Sequence, residues 1–320
     1  MEKITHTIQR QRDRGVFEMS QEVEMKLALG RGGPERLCHH PLLRGQALAT
    51  QRLANTYFDT PSGELEAARM ALRLRRCDDT WIQTLKTSGE GRGGMSRRGE
   101  WEWPVSEGAL DRQGLAALPP MAELGTEVLE RLDARFTTDF ERRLWQLDHA
   151  GATIEVALDQ GEIHAAGRAV PISEVELELK AGDPAALWDL TMALAETIAL
   201  RPADASKAAR GGALLSGHWS LPEGTAEGER LHRALLALDA YADTGEDRWR
   251  ATAREALREL ANNSNTKSIS NTKSISNTKS ISNTKSNSEA GQLAAMLERP
   301  DWMGVEFGRT ALRLAHRLAS

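Results

Sequence analysis

The chain has 320 residues, 40% of them hydrophobic and 27% charged, enough to bury a sizeable core and long enough for two domains. Its 41 Lys and Arg against 46 Asp and Glu give a net charge of -5 and a pI near 6.0, which excludes a generally basic nucleic-acid-binding surface. Two cysteines, Cys38 and Cys77, exclude a disulfide framework, and no stretch approaches the roughly 18 apolar residues of a membrane span.

Residues 1–18 are polar and rich in Arg and Gln, without the apolar core of a secretory signal. They are expected to be a flexible extension of a cytoplasmic protein, with the folded unit starting near Met19. From Gln21 to Leu29 charged and apolar side chains alternate, the period of a half-buried strand. The same alternation returns in Ala71–Arg76, Thr80–Lys86, Glu100–Pro104, Thr153–Leu158 and Glu174–Lys180. An open antiparallel sheet gains nothing from placing Glu on some strands and Arg on others, whereas a closed barrel points alternate residues into a lumen where opposite charges and a ligand satisfy one another. The expected fold is therefore α+β, a β-barrel with an ionic lumen and an apolar outer face, flanked by helices. One helix is expected from Pro184 to Ala199, with Asp183 as N-cap.

After about Pro222 the texture becomes helical, in 229–243, 247–260 and 289–320. The near-perfect repeat of Ser-Asn-Thr-Lys-Ser-Ile over 264–286 has too little apolar surface to offset its ordering entropy, so a disordered insert is expected there. The implied organisation is an extension over 1–18, a barrel domain over 19–220 and a smaller all-α region over 221–320.

Glu22, Glu24 and Lys26 share one face of the first strand at spacings of roughly 6 to 7 Å. Paired carboxylates suit hard cations such as Mg²⁺ or Mn²⁺, and a neighbouring Lys suits an anionic oxygen. Alone, such alternation is the ordinary solvated face of a strand. The other strands add the complementary parts: Arg73 and Arg75, then Lys86, then Arg97, Arg98 and Arg142, with a second acidic row at Glu174, Glu176 and Glu178. A phosphate chain needs metal ions and cations together, because several adjacent negative charges must be neutralised at once. Glycines before Arg97 and Arg98 leave their register open, so either can face inward. Glu174 has lumen parity and either binds metal or balances arginines, and Glu155 shares parity with Asp159. Arg76 and Arg143 should point outward, Trp81, Trp101 and Trp103 should pack the wall, and Tyr57 and Phe58 should be structural.

In order, Glu22-Val-Glu-Met-Lys26, Tyr57-Phe-Asp-Thr-Pro61, Leu72-Arg-Leu-Arg75, Thr84-Leu-Lys86 and Ser206-Lys-Ala-Ala-Arg-Gly211 resemble the CYTH, or triphosphate tunnel metalloenzyme, superfamily. Thr138–Arg142, Ile154–Gly161 and Glu174–Glu178 resemble its bacterial inorganic triphosphatase branch in particular. The resemblance spans about 19–215. It implies an eight-stranded antiparallel tunnel that hydrolyses inorganic triphosphate to pyrophosphate and orthophosphate. It further implies Mg²⁺ or Mn²⁺ on Glu22, Glu24, Glu176 and Glu178, with Glu174 beside them and Asp159 either joining them or orienting a metal-linked water. Lys26, Arg73, Arg75, Lys86, Arg98, Arg142, Lys207 and Arg210 would grip phosphate oxygens, with Lys26, Asp159 and Arg75 assigned to the catalytic step. The alternatives are a thiamine or nucleoside triphosphatase, an adenylate cyclase of the same fold, and a binding module without turnover.

The helical tail, through Leu293–Trp302 and Leu312–Leu318, resembles a shortened CHAD domain, which implies polyphosphate as a partner. No nucleic-acid or membrane partner is expected. His218, His232 and His316 are too scattered to form a site, and every proposed ligand lies upstream of Leu221, so chemistry is expected to survive removal of the tail.

Overall fold

The computed structural model describes residues 19–44, 47–77, 79–87, 89–106, 108–272 and 289–319. The N-terminal extension and 273–286 of the repeat lie outside the described residues; the backbone of 264–272 continues a helix. Strands β1 (Ser20–Leu29), β2 (Ala47–Asp59), β3 (Met70–Cys77), β4 (Thr80–Thr87), β5 (Glu90–Arg92), β6 (Met95–Val105), β7 (Asp133–His149), β8 (Ala152–Ala165), β9 (Arg168–Ala181) and β10 (Leu200–Pro202) form one antiparallel sheet. Its order is β10-β1-β9-β8-β7-β2-β3-β4-β6-β5, and β1 also pairs with β6. That extra pairing closes eight strands into a barrel, with β5 and β10 as short additions.

Two-residue turns join the three longest strands. Ala150 and Gly151 have φ of 50° and 77°, and Ala166 and Gly167 have φ of 50° and 70°, so both central residues of each turn are left-handed. That conformation matches the twist of a tight hairpin and explains glycine at each second position.

Lumen parity sends the apolar residues outward. Met25 and Leu27 of β1, Ile154, Val156 and Leu158 of β8, and Val175 and Leu177 of β9 are all fully buried, although they face away from the lumen. What covers them is helical: α6 (Ala185–Ala195), α8 (Glu227–Thr244), α9 (Asp247–Thr272), α10 (289–296) and α11 (Val305–Ala319). Leu187 and Leu190 of α6, Leu235 and Leu238 of α8, Leu257 of α9, Leu293 of α10 and Leu312 of α11 belong to the same core as the strand residues. The barrel and the tail are therefore packed as one body, so that removing the tail would expose this core. A second cluster seals the opposite side, where α3 (Arg112–Ala116), α4 (Pro119–Leu124) and α5 (Thr126–Glu130) cover Trp101 and Trp103. Asp111 caps α3 and also accepts the Trp103 indole N–H at 3.1 Å.

The expected helix over 184–199 ends at Ala195, because Ala199 turns to accept the Gly30 N–H (2.8 Å) and Leu200 then pairs with Leu29. Asp183 still supplies a cap, accepting the Ala185 N–H at 2.8 Å. Remaining helices are α1 (Gly33–Cys38), α2 (Glu64–Ala67) and α7 (Lys207–Ser216), of which α7 sits at the mouth of the lumen.

Shared packing has a measurable consequence. Leu312→Ala is expected to lower stability by about 2–5 kcal/mol through the cavity left behind. Urea unfolding followed by far-ultraviolet dichroism and by tryptophan fluorescence should give one coincident transition. Two separate transitions would show that tail and barrel fold independently.

Candidate active site

Alternation places Glu22, Glu24 and Lys26 of β1, Arg73 and Arg75 of β3, Lys86 of β4, Arg98 of β6, Arg142 of β7, and Glu176 and Glu178 of β9 around one cavity of about 860 Å³. The signs are segregated apart from Lys26 and Lys180 on the acidic strands and Glu100 and Glu102 on β6. β1, β8 and β9 are adjacent and carry Glu22, Glu24, Glu155, Asp159, Glu174, Glu176 and Glu178. β7, β3, β4 and β6 carry Arg142, Arg73, Arg75, Lys86 and Arg98; β7 borders β8 and β6 borders β1, and β2, whose Gln51, Leu53, Asn55 and Tyr57 are uncharged, lies within this group between β7 and β3.

Register on the acidic wall sets one carboxylate directly against another and a lysine against a third. Glu24 lies directly opposite Glu178, Lys26 opposite Glu176, and Ala28 opposite Glu174. Directly opposed carboxylates repel unless a cation lies between or beside them. Arg98 and Lys86 supply part of the compensation. Arg98 donates to Glu22 (2.8 Å) and to Glu24 (2.6 Å), and Lys86 is 2.8 Å from Glu22 and 3.2 Å from Glu100. Burial alone would raise the Glu22 pKa, but Lys86 and Arg98 outweigh it and hold Glu22 at about 2. Glu178 behaves oppositely. Its pKa is raised, by burial first and with help from the Glu22 and Glu155 charges, although Lys180 lies 2.7 Å away. A carboxylate with raised affinity for protons beside two others is a donor set that a hard divalent cation fits.

Asp159, Glu174 and Glu176 form a second acidic group, with ligand oxygens within 4.8 Å of one another. Here the charge is already met from within the chain. Lys207, the first residue of α7, lies 2.6 Å from Asp159 and 3.1 Å from Glu176, and contacts Glu174 as well. Arg142 forks onto Asp159 at 2.7 and 2.6 Å and reaches Glu176 at 2.6 Å. Despite burial, the Lys207 and Arg142 charges, with Lys26 and Lys86 behind them, keep Glu176 well below the usual carboxylate range. Lys26 itself is buried and donates at 3.5 Å to the Ala205 carbonyl.

The basic wall is under-compensated. Arg75 donates to Asn55 at 3.0 Å but has no carboxylate within 4.0 Å among the described residues. Burial, followed by repulsion from Arg73 and Arg142, lowers its pKa to about 10. Arg73 meets Glu100 and Glu102 only at 3.8 and 3.9 Å, and its buried Nε has no hydrogen-bond partner. Despite burial, Tyr57 and the Glu100 and Glu102 charges hold Arg73 above its ordinary pKa, so the shortfall of anionic charge falls on Arg75, with the unpartnered Nε of Arg73 beside it.

Of the residues expected at the site, Arg98 rather than Arg97 faces inward, because Glu22 is its partner across β1 and β6 while Arg97 is exposed. Arg210 does not line the cavity itself but stands behind it, donating to Asp243 at 3.0 Å and to the Pro171 carbonyl and reaching Glu174 of the acidic group at 3.7 Å. Arg76 is exposed with its guanidinium 6.0 Å from the Trp81 ring, and exposed Arg143 pairs with Glu141 at 3.0 Å. Sequence reasoning passed over several lumen groups: Glu100 and Glu102, Lys180, and Tyr57, which lines the cavity while stacking on Phe136. His218 and His232, widely spaced in sequence, both reach the cavity, whereas His316 stacks on Trp188.

The sequence model of the CYTH domain matches residues 20–211, well over half the chain. The chain belongs to the CYTH family. Among its relatives is an inorganic triphosphatase of Haemophilus influenzae, 37% identical over 198 residues that cover 60% of this chain and 54% of that protein. This CYTH chain thus spans about half the length of the curated relative it matches. It is also similar to the structure of a Hippeastrum protein with a dominant triphosphatase activity, at 19% identity and a TM-score of 0.48, covering 61% of this chain and 96% of that one. A Bacillus halodurans structure is similar at 16% identity and a TM-score of 0.41, over 60% and 97% of the two chains. In this CYTH chain no described helix is long and apolar enough to cross a membrane.

The Glu22 pairing makes a pH prediction. Its folded pKa lies below the ordinary 4.5, so its contribution to stability is present above pH 4.5 and is lost as the pH falls toward about 2. Lys86→Met should flatten the stability loss across that window by an amount of order 1–3 kcal/mol. Equal slopes for the two proteins in urea unfolding would detach Glu22 from Lys86.

Proposed function

We propose that this chain hydrolyses inorganic triphosphate to pyrophosphate and orthophosphate inside the barrel, in a reaction that requires Mg²⁺ or Mn²⁺. The observation that carries the reading is the opposition of a crowded carboxylate wall to Arg75, which has no carboxylate within 4.0 Å among the described residues, and to the unpartnered Nε of Arg73 beside it. A metal-bound phosphate chain between them is complementary to both. The Haemophilus relative supports the inorganic substrate.

Arg73 and Arg75 would hold successive phosphate groups with forked donors, which suit phosphate oxygens better than a point charge does. Lys86, Arg98 and Arg142 would neutralise charge along the same chain, and Lys26 and Lys207 would approach it from the acidic side. Glu22, Glu24, Glu176 and Glu178 would hold the cation, which when bound neutralises phosphate charge and polarises a water. Asp159 would serve as the counter-charge that orients Arg142 and Lys207, and Glu174 as one that holds Lys207, with Arg210 3.7 Å from it. Arg210 would act on the lumen only through that contact with Glu174.

A second reading, a longer phosphate chain, is favoured by the continuation of the cavity past Lys207 to His218, Ser220 and His232. Phosphate release from triphosphate, ATP, thiamine triphosphate and long-chain polyphosphate, with Mg²⁺, Mn²⁺ or a chelator, separates the readings. Triphosphate should be turned over fastest, and only with metal. Preference for a nucleotide or thiamine substrate would replace the inorganic reading, and tight binding without release would make the chain a binding module. Arg75→Ala should lower kcat/KM for triphosphate by roughly 10²-fold or more, the scale of losing one preorganised donor to a transition-state oxygen. Glu24→Gln should raise the metal concentration needed for half-maximal rate. Wild-type efficiency in Arg75→Ala would remove that residue from the substrate.

A further inference from the structure

Residues 200–210 bring Lys207 to the lumen without belonging to the closed barrel. Their first part, β10, pairs with the end of β1, Leu27 opposite Pro202 and Leu29 opposite Leu200. Beyond it the chain leaves the sheet, and four backbone and side-chain groups need partners before α7 begins. The Ala203 N–H finds the Lys26 carbonyl at 3.1 Å. Asp204 accepts the Gly94 N–H at 2.7 Å and pairs with His232 at 2.6 Å. The N–H groups of Asp204 and Ala205 both donate to one oxygen of Asp239, at 3.1 and 2.9 Å.

Asp239 stands on α8, in the helical tail. Its other oxygen takes the buried Arg201 guanidinium at 2.7 Å, so the carboxylate is 5% exposed with both oxygens engaged. One helical turn further along the same face, Asp243 takes Arg210. Two carboxylates of α8 thus hold the two ends of the segment 201–210, and Lys207 lies between them. The Ala205 carbonyl, which accepts from the Lys26 ammonium at 3.5 Å, belongs to the residue whose N–H Asp239 holds.

We infer that Asp239, with Asp243, is a positioning residue for the lumen: the tail sets where Lys207 and the Ala205 carbonyl stand, although neither α8 carboxylate reaches the cavity. The inference rests on the triphosphate reading of the lumen. A buried carboxylate that accepts two consecutive backbone N–H groups fixes that backbone, and a charged group displaced by about an ångström loses much of its electrostatic effect on a reacting centre. The helical region then acts on the chemistry from outside the barrel.

A double-mutant cycle on the full-length chain tests this with Lys207→Ala, Asp239→Asn and the combined variant, read as kcat/KM for triphosphate with Mg²⁺. Asp239→Asn should lower kcat/KM by about tenfold, and the combined variant should match Lys207→Ala within about twofold, because residues acting through one another are not additive. Multiplied losses would show general structural damage and overturn the inference. Should Asp239→Asn not fold, Arg201→Met with Asp239→Leu removes the buried cation together with its partner and takes its place in the cycle. If wild type binds triphosphate but releases no phosphate, the hydrolase reading falls, and the same cycle is read on the calorimetric Kd, where coupling supports the positioning role and additivity overturns it. Neither binding nor release would overturn both.

Discussion

A barrel that keeps charge inside has to hide its apolar residues outside. Each strand has only two faces, so once Glu24, Lys26 and Glu176 point into the lumen, Met25, Leu27 and Val175 point away from it. Leaving such side chains in water would forfeit about 1.5–3 kcal/mol for each. The helices on both sides are the answer to that constraint, and it explains why the main hydrophobic core runs from β1, β8 and β9 into α6, α8, α9, α10 and α11. The tail is therefore a wall of the core.

Inside, the same constraint runs with opposite sign. Ions taken from water cost several kcal/mol each unless paired and hydrogen-bonded. Much of the lumen meets that demand from its own residues, through Arg142 on Asp159 and Glu176, Lys207 on the acidic triad, and Arg98 on Glu22 and Glu24. What is left over is informative because the rest is so fully paired. The remainder falls at two places: on one wall the directly opposed Glu24 and Glu178, each paired only from the side, by Arg98 and Lys180, and on the other Arg75 with the unpartnered Nε of Arg73. A cation-bound polyanion satisfies both with one ligand.

Strands with strict alternation of charge and grease were legible in the sequence, and with them the ionic lumen. β2 and β7 were not visible by periodicity, since β2 sends Gln51 and Asn55 inward and Arg52 and Thr56 outward, leaving both faces mixed. Residue types at the site were readable; pairings were not, because they depend on register between strands far apart in the chain. The loop before β6 hid which of Arg97 and Arg98 turns inward until β1 fixed it. Glu100 and Glu102 alternate with Trp101 and Trp103, a pattern that reads equally well as an exposed face. Arg210 sits in a motif that suggests phosphate, yet its direction is set by Asp243, on a helix whose amphipathic pattern announces only packing.

The two left-handed turns at Ala150–Gly151 and Ala166–Gly167 bear on the order in which the barrel assembles. They make β7, β8 and β9 a meander of neighbours in sequence, whose loops close at little entropic cost. β1 has no such advantage: Met25 must find Leu177 across some 150 residues of chain, and until it does, β9 presents an open edge. During synthesis β1 emerges first and is satisfied late. Closure of the ring, and with it the meeting of Glu24 with Glu178, is then the slow and non-local event of folding, so the acidic wall comes into being only when the barrel does.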